Sequence, residues 1–251
     1  MIRNPAVAGM FYPEDPVALR NFIEKSLAKV PCDDSRKLRA LIVPHAGYAY
    51  SGCVAASAYA LLGKRSFRRA VLLGPSHKVC LDGIATDGND FWKTPLGSIA
   101  VRGSDFPESS QAHFSEHCLE VQVPFLQVVV PDCAILPLLV GVCDPVDAIS
   151  QIEPLLDDDT ILIISSDLSH YHDYETANNL DASTNNAILG LDIEKMFSDG
   201  EACGKQSIML LLELAKSHGW YSELVQYSNS GDTAGSKSSV VGYASFAFYS
   251  G

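Results

Sequence analysis

Two histidines follow apolar stretches of the sequence in the same way. His45 comes directly after the letters LIVP, and His77 comes after AVLLGPS, so each lies just beyond a proline near the end of an apolar run. A third apolar run, TILIIS, is followed within five residues by Asp167 and His170. Each histidine taken alone is readily explained by a structural hydrogen bond. Three similar placements together favour one shared polar site.

The residue types in this set suit metal binding or acid–base catalysis. Neutral imidazoles bind iron, zinc, copper and nickel, and two histidines with one carboxylate leave open coordination positions on the metal. A histidine that is not a ligand can act as a general base, because its pKa lies near neutrality. The residues alone therefore leave three chemistries open: an iron oxygenase, a zinc hydrolase and metal-free acid–base catalysis.

The elements that must position these side chains alternate between strands and helices. Near-continuous apolar runs, typical of strands that are covered on both faces, predict strands at 40–44, 70–75, 134–140 and 160–167. A further strand, at an edge of the sheet, is predicted at 238–250. Helical patterns occur at 15–30, 52–63, 116–130, 173–191 and 203–219. Asp15 is the predicted N-cap of the first helix, Gly63 the C-cap of the second, and Pro124 interrupts the third. We predict one α/β domain over residues 1–251, in three α/β/α layers around a mixed, largely parallel sheet.

Open α/β sheets bind ligands beyond the carboxyl ends of their strands. If the strands that precede His45, His77 and Asp167 run parallel, these side chains and His170 project from one edge of the sheet. The sequence therefore predicts that residues far apart along the chain meet in one cleft.

Composition excludes several classes of function. The 251 residues are 47% hydrophobic and 19% charged, which is an ordinary globular balance. Acidic residues outnumber basic ones, 30 to 18, giving a net charge of −12 that would repel a nucleic-acid backbone. We expect no membrane span, no signal peptide and a cytoplasmic protein. The seven cysteines include no CxxC pair, which favours reduced thiols over a disulfide framework.

Several longer segments resemble the MEMO family, the mediator of ErbB2-driven cell motility and its prokaryotic relatives. The matching segments are AVAGMFYP (6–13), VPHAGYAYSG (43–52), LLGPSH (72–77), TPLG (94–97), EHCLEVQVPFLQ (116–127), SSDLSHY (165–171), CGKQSI (203–208) and SSVVGYAS (238–245). The chain is most similar to prokaryotic members known as AmmeMemoRadiSam system protein B. The resemblance implies possible association with AMMECR1-type and radical-SAM proteins.

The MEMO fold is similar to that of class III extradiol dioxygenases, which use non-haem Fe(II). The resemblance implies that His45 and His77 are metal ligands, and that His170 acts as acid–base with Asp167 beside it. The third ligand implied by position is Asp232, in the segment SGDTAG, which also has the composition of a surface turn. An aspartate there favours Fe(II), with zinc or copper as alternatives.

Four further residues are candidates for the pocket. Glu116 and His117 lie in a matching segment and either line the cleft or brace a helix. Tyr48 either forms part of the pocket wall or packs in the core. Cys203 is either reactive or a small buried hydrophobic residue. The other histidines, His113, His172 and His218, are interpreted as solvated or capping residues.

Three functions are compatible with these expectations. The first is a non-haem iron oxygenase acting on a small organic substrate. The second is a non-catalytic protein that uses the same cleft to bind a peptide or protein partner. The third is a metal-dependent hydrolase, since His and Asp also hold zinc and lower the pKa of its water.

Overall fold

Eleven strands and nine helices form in the part of the chain that the computed structural model describes, residues 1–30, 36–63, 65–233 and 235–251. The strands are β1 (Ile2–Arg3), β2 (Leu38–Val43), β3 (Arg69–Pro75), β4 (Ile84–Thr86), β5 (Phe91–Thr94), β6 (Gly97–Ala100), β7 (Ala134–Val140), β8 (Thr160–Ser165), β9 (His170–His172), β10 (Trp220–Asn229) and β11 (Val240–Ser250). The helices are α1 (Pro16–Leu27), α2 (Tyr48–Tyr59), α3 (Ser110–Phe114), α4 (Val123–Val129), α5 (Pro145–Ile152), α6 (Tyr174–Leu189), α7 (Ile193–Asp199), α8 (Lys205–Ser217) and α9 (Ser230–Thr233).

The main sheet has four parallel strands at its centre. Its order is β10-β11-β2-β8-β3-β7-β4, and β9 pairs separately with β11. The pairs β2–β8, β8–β3 and β3–β7 are parallel, whereas β4, β9, β10 and β11 join in antiparallel fashion. A small second sheet contains β1, β5 and β6. The predicted mixed sheet is confirmed.

Side chains on the central strands alternate between two hydrophobic layers. In β2, Leu41 and Val43 face a core built with α1, α2 and α4, while Ala40 and Ile42 face a core built with α5 to α8. Because successive side chains on a strand point to opposite faces, continuous apolar runs are the sequence of a sheet covered on both sides. The three-layer α/β/α architecture is confirmed.

The predicted helices form, with shifted boundaries in two cases. Asp15 caps α1 by accepting a hydrogen bond from the Ala18 backbone N–H (2.7 Å). Helix α2 begins at Tyr48, four residues before the predicted start. The predicted helix at 116–130 is α-helical only over Val123–Val129, and Pro124 lies in its first turn, where the missing N–H costs nothing. Within the described ranges no helix is both long and apolar enough to cross a membrane.

The prediction that the C-terminal strand is an edge strand is wrong. Strand β11 lies between β10 and β2, and its residues are almost all buried. The strand that covers it, β10, was missed because WYSELVQYSN mixes polar and apolar residues without a clean period of two.

A buried ion pair attaches the N-terminal segment to residues 113–120, which lie before α4. The guanidinium of Arg3 donates to Glu120 (2.7 Å) and to the backbone carbonyls of His113 (3.0 Å) and Glu116 (2.8 Å). Glu120 also accepts from the Tyr12 hydroxyl (2.8 Å) and from two backbone N–H groups near the N-terminus. All the groups that donate hydrogen bonds to the buried carboxylate thus come from residues 3–12, and this segment is fixed against residues 113–120.

We expect Glu120→Ala to destabilise the protein by about 3–5 kcal/mol, because Arg3 would remain buried without its counter-ion. The matched control is Glu24→Ala, which breaks an exposed Arg20–Glu24 pair on α1 that is worth about 0.3–0.5 kcal/mol. Urea unfolding of both variants gives the two free energies. Equal losses in the two variants would contradict this account of the Arg3–Glu120 pair.

Candidate metal centre

Three polar side chains follow neighbouring parallel strands. His45 lies two residues after the end of β2, His77 two residues after β3, and Asp167 two residues after β8. In the sheet β8 lies between β2 and β3, so these three loops are adjacent. The structure thus brings residues 45, 77 and 167 together at the carboxyl edge of the sheet, where α/β folds bind ligands.

A third histidine, His117, completes a cluster with His45 and His77. Ligand nitrogens of the three imidazoles all lie within 4.8 Å of one another, a spacing at which they could hold one metal ion. Ring centroids are 5.2 Å apart for His45–His77, 5.4 Å for His45–His117 and 5.0 Å for His77–His117. His117 comes from the segment between α3 and α4.

One carboxylate orients two of the imidazoles. Oε1 of Glu116 lies 2.9 Å from Nδ1 of His77 and 3.1 Å from Nδ1 of His117. Glu116 also accepts backbone N–H bonds from His77 (2.6 Å), His117 (2.9 Å) and Cys118 (3.2 Å). Burial raises the pKa of Glu116, but hydrogen bonds from His117 and His77 outweigh it and hold the pKa well below its ordinary value. The charged carboxylate therefore accepts Nδ1–H from both rings and leaves their Nε2 atoms free.

The tautomer of His45 is fixed by a hydroxyl group. Ser165 donates its proton to the Cys118 carbonyl (2.7 Å) and accepts from the Gln122 amide (2.9 Å). Since its only proton is used, the Ser165 oxygen must also accept from Nδ1–H of His45, at 3.0 Å. Nε2 of His45 is therefore unprotonated as well, and a carboxylate or hydroxyl that orients an imidazole in this way is the usual support of a metal ligand.

Burial keeps His45 uncharged. Its side chain is 2% exposed, and burial, followed by the neighbouring His117 and His77, lowers its pKa well below the ordinary value. Metal binding requires neutral imidazoles, so the site favours the form that can act as a ligand. His77 and His117 are 29% and 18% exposed, and a ligand can reach the cluster from their side.

A cavity of about 590 Å³ opens beside the cluster. Its lining comprises the three histidines, Asp167, His170, Cys203, Phe11, Ala46, Gly47, Tyr50, Tyr171, Val241 and Tyr243. The polar groups converge at one side and aromatic rings form much of the remainder, which is the general character of a small-molecule site.

Asp167 and His170 are the candidate proton-transfer groups of this cavity. Burial raises the pKa of Asp167 to about 6, although hydrogen bonds from the backbone of His45 and Ala46 oppose the shift. Its Oδ1 accepts those two N–H groups at 2.7 and 3.3 Å, so Asp167 holds the loop that carries His45 instead of orienting the His170 ring. A carboxyl group with a pKa near neutrality can both donate and accept a proton.

Comparison with known proteins identifies the family. The family model described as Memo-like protein matches residues 3–247. The chain belongs to the MEMO family. It is 38% identical to a MEMO1 family protein of Sulfolobus acidocaldarius over 99% of both chains, and 36% identical to one of Methanobrevibacter smithii over 99% of this chain and 100% of the relative. A further MEMO1 family protein, from Archaeoglobus fulgidus, is 35% identical over 98% of this chain.

In this MEMO family chain Asp232 does not lie among the candidate ligands. It belongs to the short helix α9, is exposed, and accepts hydrogen bonds from the Tyr174 hydroxyl (2.7 Å) and the Asn229 backbone N–H (3.0 Å). Its carboxylate caps a turn, which is the alternative reading of SGDTAG. The third imidazole of the cluster that could hold a metal is that of His117, and Asp232 is not among its members.

The other pocket candidates occupy different environments. Tyr48 lies in the core, where its hydroxyl donates to the Val121 carbonyl (2.7 Å) and its ring packs 4.9 Å from that of Phe125. Cys203 lines the cavity, with Sγ 3.2 Å from Nε2 of His45, and burial raises the pKa of its thiol to about 12. Glu116 and His117 are predicted to line the cleft or to brace a helix. His117 lines the cavity, whereas the sequence does not predict that its imidazole joins the cluster or that Glu116 contacts two of the cluster's rings. The sequence feature that could have indicated this arrangement is the adjacent Glu–His pair in a segment that matches the family.

A second group of potential ligands, His77, Glu116 and Cys118, is also close enough to hold an ion. The thiol of Cys118 donates to the Pro75 carbonyl (3.1 Å), and burial raises its pKa well above the ordinary value. The oxygens of Glu116 are occupied by five hydrogen bonds. The three-histidine group is therefore the better metal site.

The interpretation of His113 as a solvated or capping residue is wrong. It is 1% exposed, its Nε2 lies 3.1 Å from the Ala85 carbonyl, and burial lowers its pKa to about 4. His172 and His218, in contrast, form partly exposed pairs with Glu201 and Glu153.

We expect acid to destabilise the protein partly through His113. In the unfolded chain a histidine has a pKa of about 6.5, so between pH 6.5 and 4 only the unfolded state takes up this proton. Stability is therefore full above pH 6.5 and falls by about 3 kcal/mol as the pH approaches 4. Urea unfolding across this range should show a shallower pH dependence in His113→Gln, with His218→Gln as the surface control. An unchanged slope in His113→Gln would contradict the assignment. His45 acts in the same direction, so the slope is reduced and not abolished.

Proposed function

We propose that this MEMO family protein is a divalent-metal enzyme whose metal is held by Nε2 of His45, His77 and His117. The observation that carries the proposal is the orientation of the three rings: each Nδ1 is engaged by Glu116 or Ser165, and the ligand nitrogens lie within 4.8 Å of one another. Three neutral donors leave coordination positions open toward the cavity.

The donor set fits a transition metal of borderline character. Imidazoles suit zinc, iron, copper and nickel, whereas calcium and magnesium prefer oxygen ligands. A metal held here would supply Lewis acidity, and iron or copper would add redox chemistry. Glu116, buried behind His77 and His117, would offset part of the added positive charge.

Residues of the chain would handle the proton. His170 lines the cavity with its ring partly exposed, and Asp167 has a pKa of about 6. In our proposal His170 accepts a proton from a substrate hydroxyl or water. Asp167 keeps His45 in place by accepting the hydrogen bond of the His45 backbone N–H. Aromatic side chains form much of the remaining wall of the cavity.

Two reaction classes are proposed at this site. An iron-dependent oxygenase is supported by the family's likeness to class III extradiol dioxygenases and by the matching positions of His45 and His77. A zinc-dependent hydrolase is supported by the all-imidazole ligand set, since the carboxylate that favoured iron lies elsewhere. The substrate of either reaction is a small organic molecule that fits the cavity.

Metal analysis of protein purified without chelators, combined with anaerobic reconstitution, tests the proposal. We expect one equivalent of a transition metal per chain and loss of binding in His45→Ala and His77→Ala. Stoichiometric iron with oxygen consumption supports the oxygenase, and stoichiometric zinc without it supports the hydrolase. Metal binding that is unchanged in both variants would contradict the proposed ligands. A wild-type protein that binds no metal would instead favour a module that binds peptides or proteins without one.

A further inference from the structure

We propose that Tyr171 is a ligand-contacting residue that selects flat aromatic anions at the mouth of the cavity. This inference rests on the proposed function, because the anionic end of such a ligand would meet the metal. It concerns, however, a residue outside the metal cluster and outside the proton-transfer groups. Three independent features of Tyr171 carry it: its backbone conformation, its exposure and its position.

The backbone of Tyr171 adopts a conformation that a tyrosine rarely takes. Its φ is +65°, and among the described residues only Leu191 shares a positive φ without being glycine. Leu191 follows Gly190 at the end of α6, where a left-handed residue commonly terminates a helix. Tyr171 instead lies between two histidines of the short strand β9 as the extra residue of a bulge, a position at which a left-handed residue is usually glycine. Strained residues of this kind cluster at ligand sites.

The surrounding hydrogen bonds force this conformation. Leu168 donates to the Gly242 carbonyl (2.8 Å), and Gly242 donates to the Ser169 carbonyl (2.9 Å). Asp181 accepts the Ser169 backbone N–H at 3.0 Å, and a Cβ on Gly242 would meet its carboxylate at 1.9 Å. On its other side His170 pairs with Val241 and His172 pairs with Val240, so that Tyr171 is the bulged residue of the β9–β11 pairing. The loop is therefore fixed at both ends, and the Tyr171 side chain is left exposed.

Neither packing nor hydrogen bonding accounts for a tyrosine at this position. Its side chain is 77% exposed, and its ring centroid lies 5.6 Å from that of His170. Within the described part of the chain its hydroxyl forms no hydrogen bond. A glycine would adopt this φ without strain. A tyrosine in this conformation lowers the stability of the protein, and contact with a ligand would explain why a tyrosine is present.

The position of the ring indicates the class of ligand. Tyr171 lines the cavity together with Tyr50, which is 42% exposed, and with Phe11, whose ring lies 4.7 Å from that of His117. A planar ring can stack on such aromatic side chains. Since the three ligands of the metal are uncharged, a bound dication would attract an anionic group on that ring. An aromatic carboxylate combines the two features.

Binding of three carboxylates to the metal-loaded protein tests this inference. Benzoate carries a planar ring, cyclohexanecarboxylate a puckered one, and acetate only the anionic group. We expect Tyr171→Gly to weaken the binding of benzoate by about 3- to 10-fold in ligand-observed NMR titrations, since aromatic pairs contribute on this scale. Acetate should bind with equal affinity to Tyr171→Gly and to the wild type, and the affinity for cyclohexanecarboxylate should fall less than that for benzoate. Tyr171→Phe should bind benzoate with the affinity of the wild type.

Stability and metal titration separate the possible failures. We expect the unfolding midpoint of Tyr171→Gly to equal or exceed that of the wild type, because glycine relieves the strained φ. A lower midpoint, or benzoate affinity unchanged in Tyr171→Gly, would overturn the inference. Metal affinity should be the same in both proteins. If the wild type binds no metal, the proposed function fails. If it binds metal but does not distinguish the three carboxylates, only the role of Tyr171 fails.

Discussion

Replacement of Glu116 by glutamine is expected to weaken zinc binding by about 100-fold. Loss of a group that orients one metal ligand typically costs 10- to 100-fold in affinity, and Glu116 orients both His77 and His117. Glutamine has nearly the same shape, but its single carbonyl oxygen is uncharged and cannot accept all five hydrogen bonds. The change therefore affects ring orientation and ligand basicity more than the fold. Competition with a chromophoric chelator measures the affinity.

The chain offers a matched control for this substitution. Glu201 lies 2.9 Å from Nε2 of His172 in a partly exposed pair outside the candidate site. Glu201→Gln removes the same charge beside a histidine, and zinc affinity should stay at the wild-type value. Equal affinities in Glu116→Gln and the wild type would contradict the role assigned to the carboxylate.

Substitution of His117 by alanine is expected to lower zinc affinity by more than about 100-fold, whereas Asp232→Ala should leave it unchanged. Structural zinc sites with four ligands bind with about 10–16 kcal/mol, so one ligand contributes on the order of 3 kcal/mol. Asp232 should have no such effect, because its carboxylate caps the Asn229 turn and hydrogen-bonds to Tyr174.

Calorimetric titration of the two variants with zinc distinguishes the two assignments of the third ligand. Circular dichroism spectra recorded beside the titrations show whether each variant remains folded. The reverse result, in which Asp232→Ala loses the metal and His117→Ala retains it, would restore the carboxylate and with it the preference for iron.

The strands that position the site were predictable from local sequence. Strand β7 has the predicted boundaries, and β2, β3 and β8 differ from prediction by no more than two residues at either end. Continuous runs of Val, Ile and Leu bounded by Gly, Pro or Asp have few alternatives in a domain of this size. The placement of His45, His77 and Asp167 beyond the strand ends followed from the same signal.

The third member of the cluster could not be predicted in this way. Residues 116–119 have a helical pattern, but the Glu116 carboxylate accepts the backbone N–H groups of His117 and Cys118 and of distant His77. These contacts hold the segment outside a helix and turn His117 toward the strand ends. The sequence near Asp232 contains no such anchor, and its match to a family position in a glycine-rich loop carried little information about geometry.

The position of β11 shows the same limit. Its apolar sequence predicted a strand but not its neighbours, because strand order depends on β10, whose mixed composition hid it. Since β11 pairs with β9, its place inside the sheet also fixes the loop of His170 and Tyr171. Part of the cavity wall therefore depends on a long-range pairing.

X-ray absorption spectroscopy of the zinc-loaded protein tests the central claim most directly. Three imidazole nitrogens at about 2.0–2.1 Å are predicted, with the multiple-scattering pattern of histidine rings. In His117→Ala the imidazole count should fall to two. A spectrum with at most one imidazole, or one identical in His117→Ala, would show that these histidines do not converge on a metal.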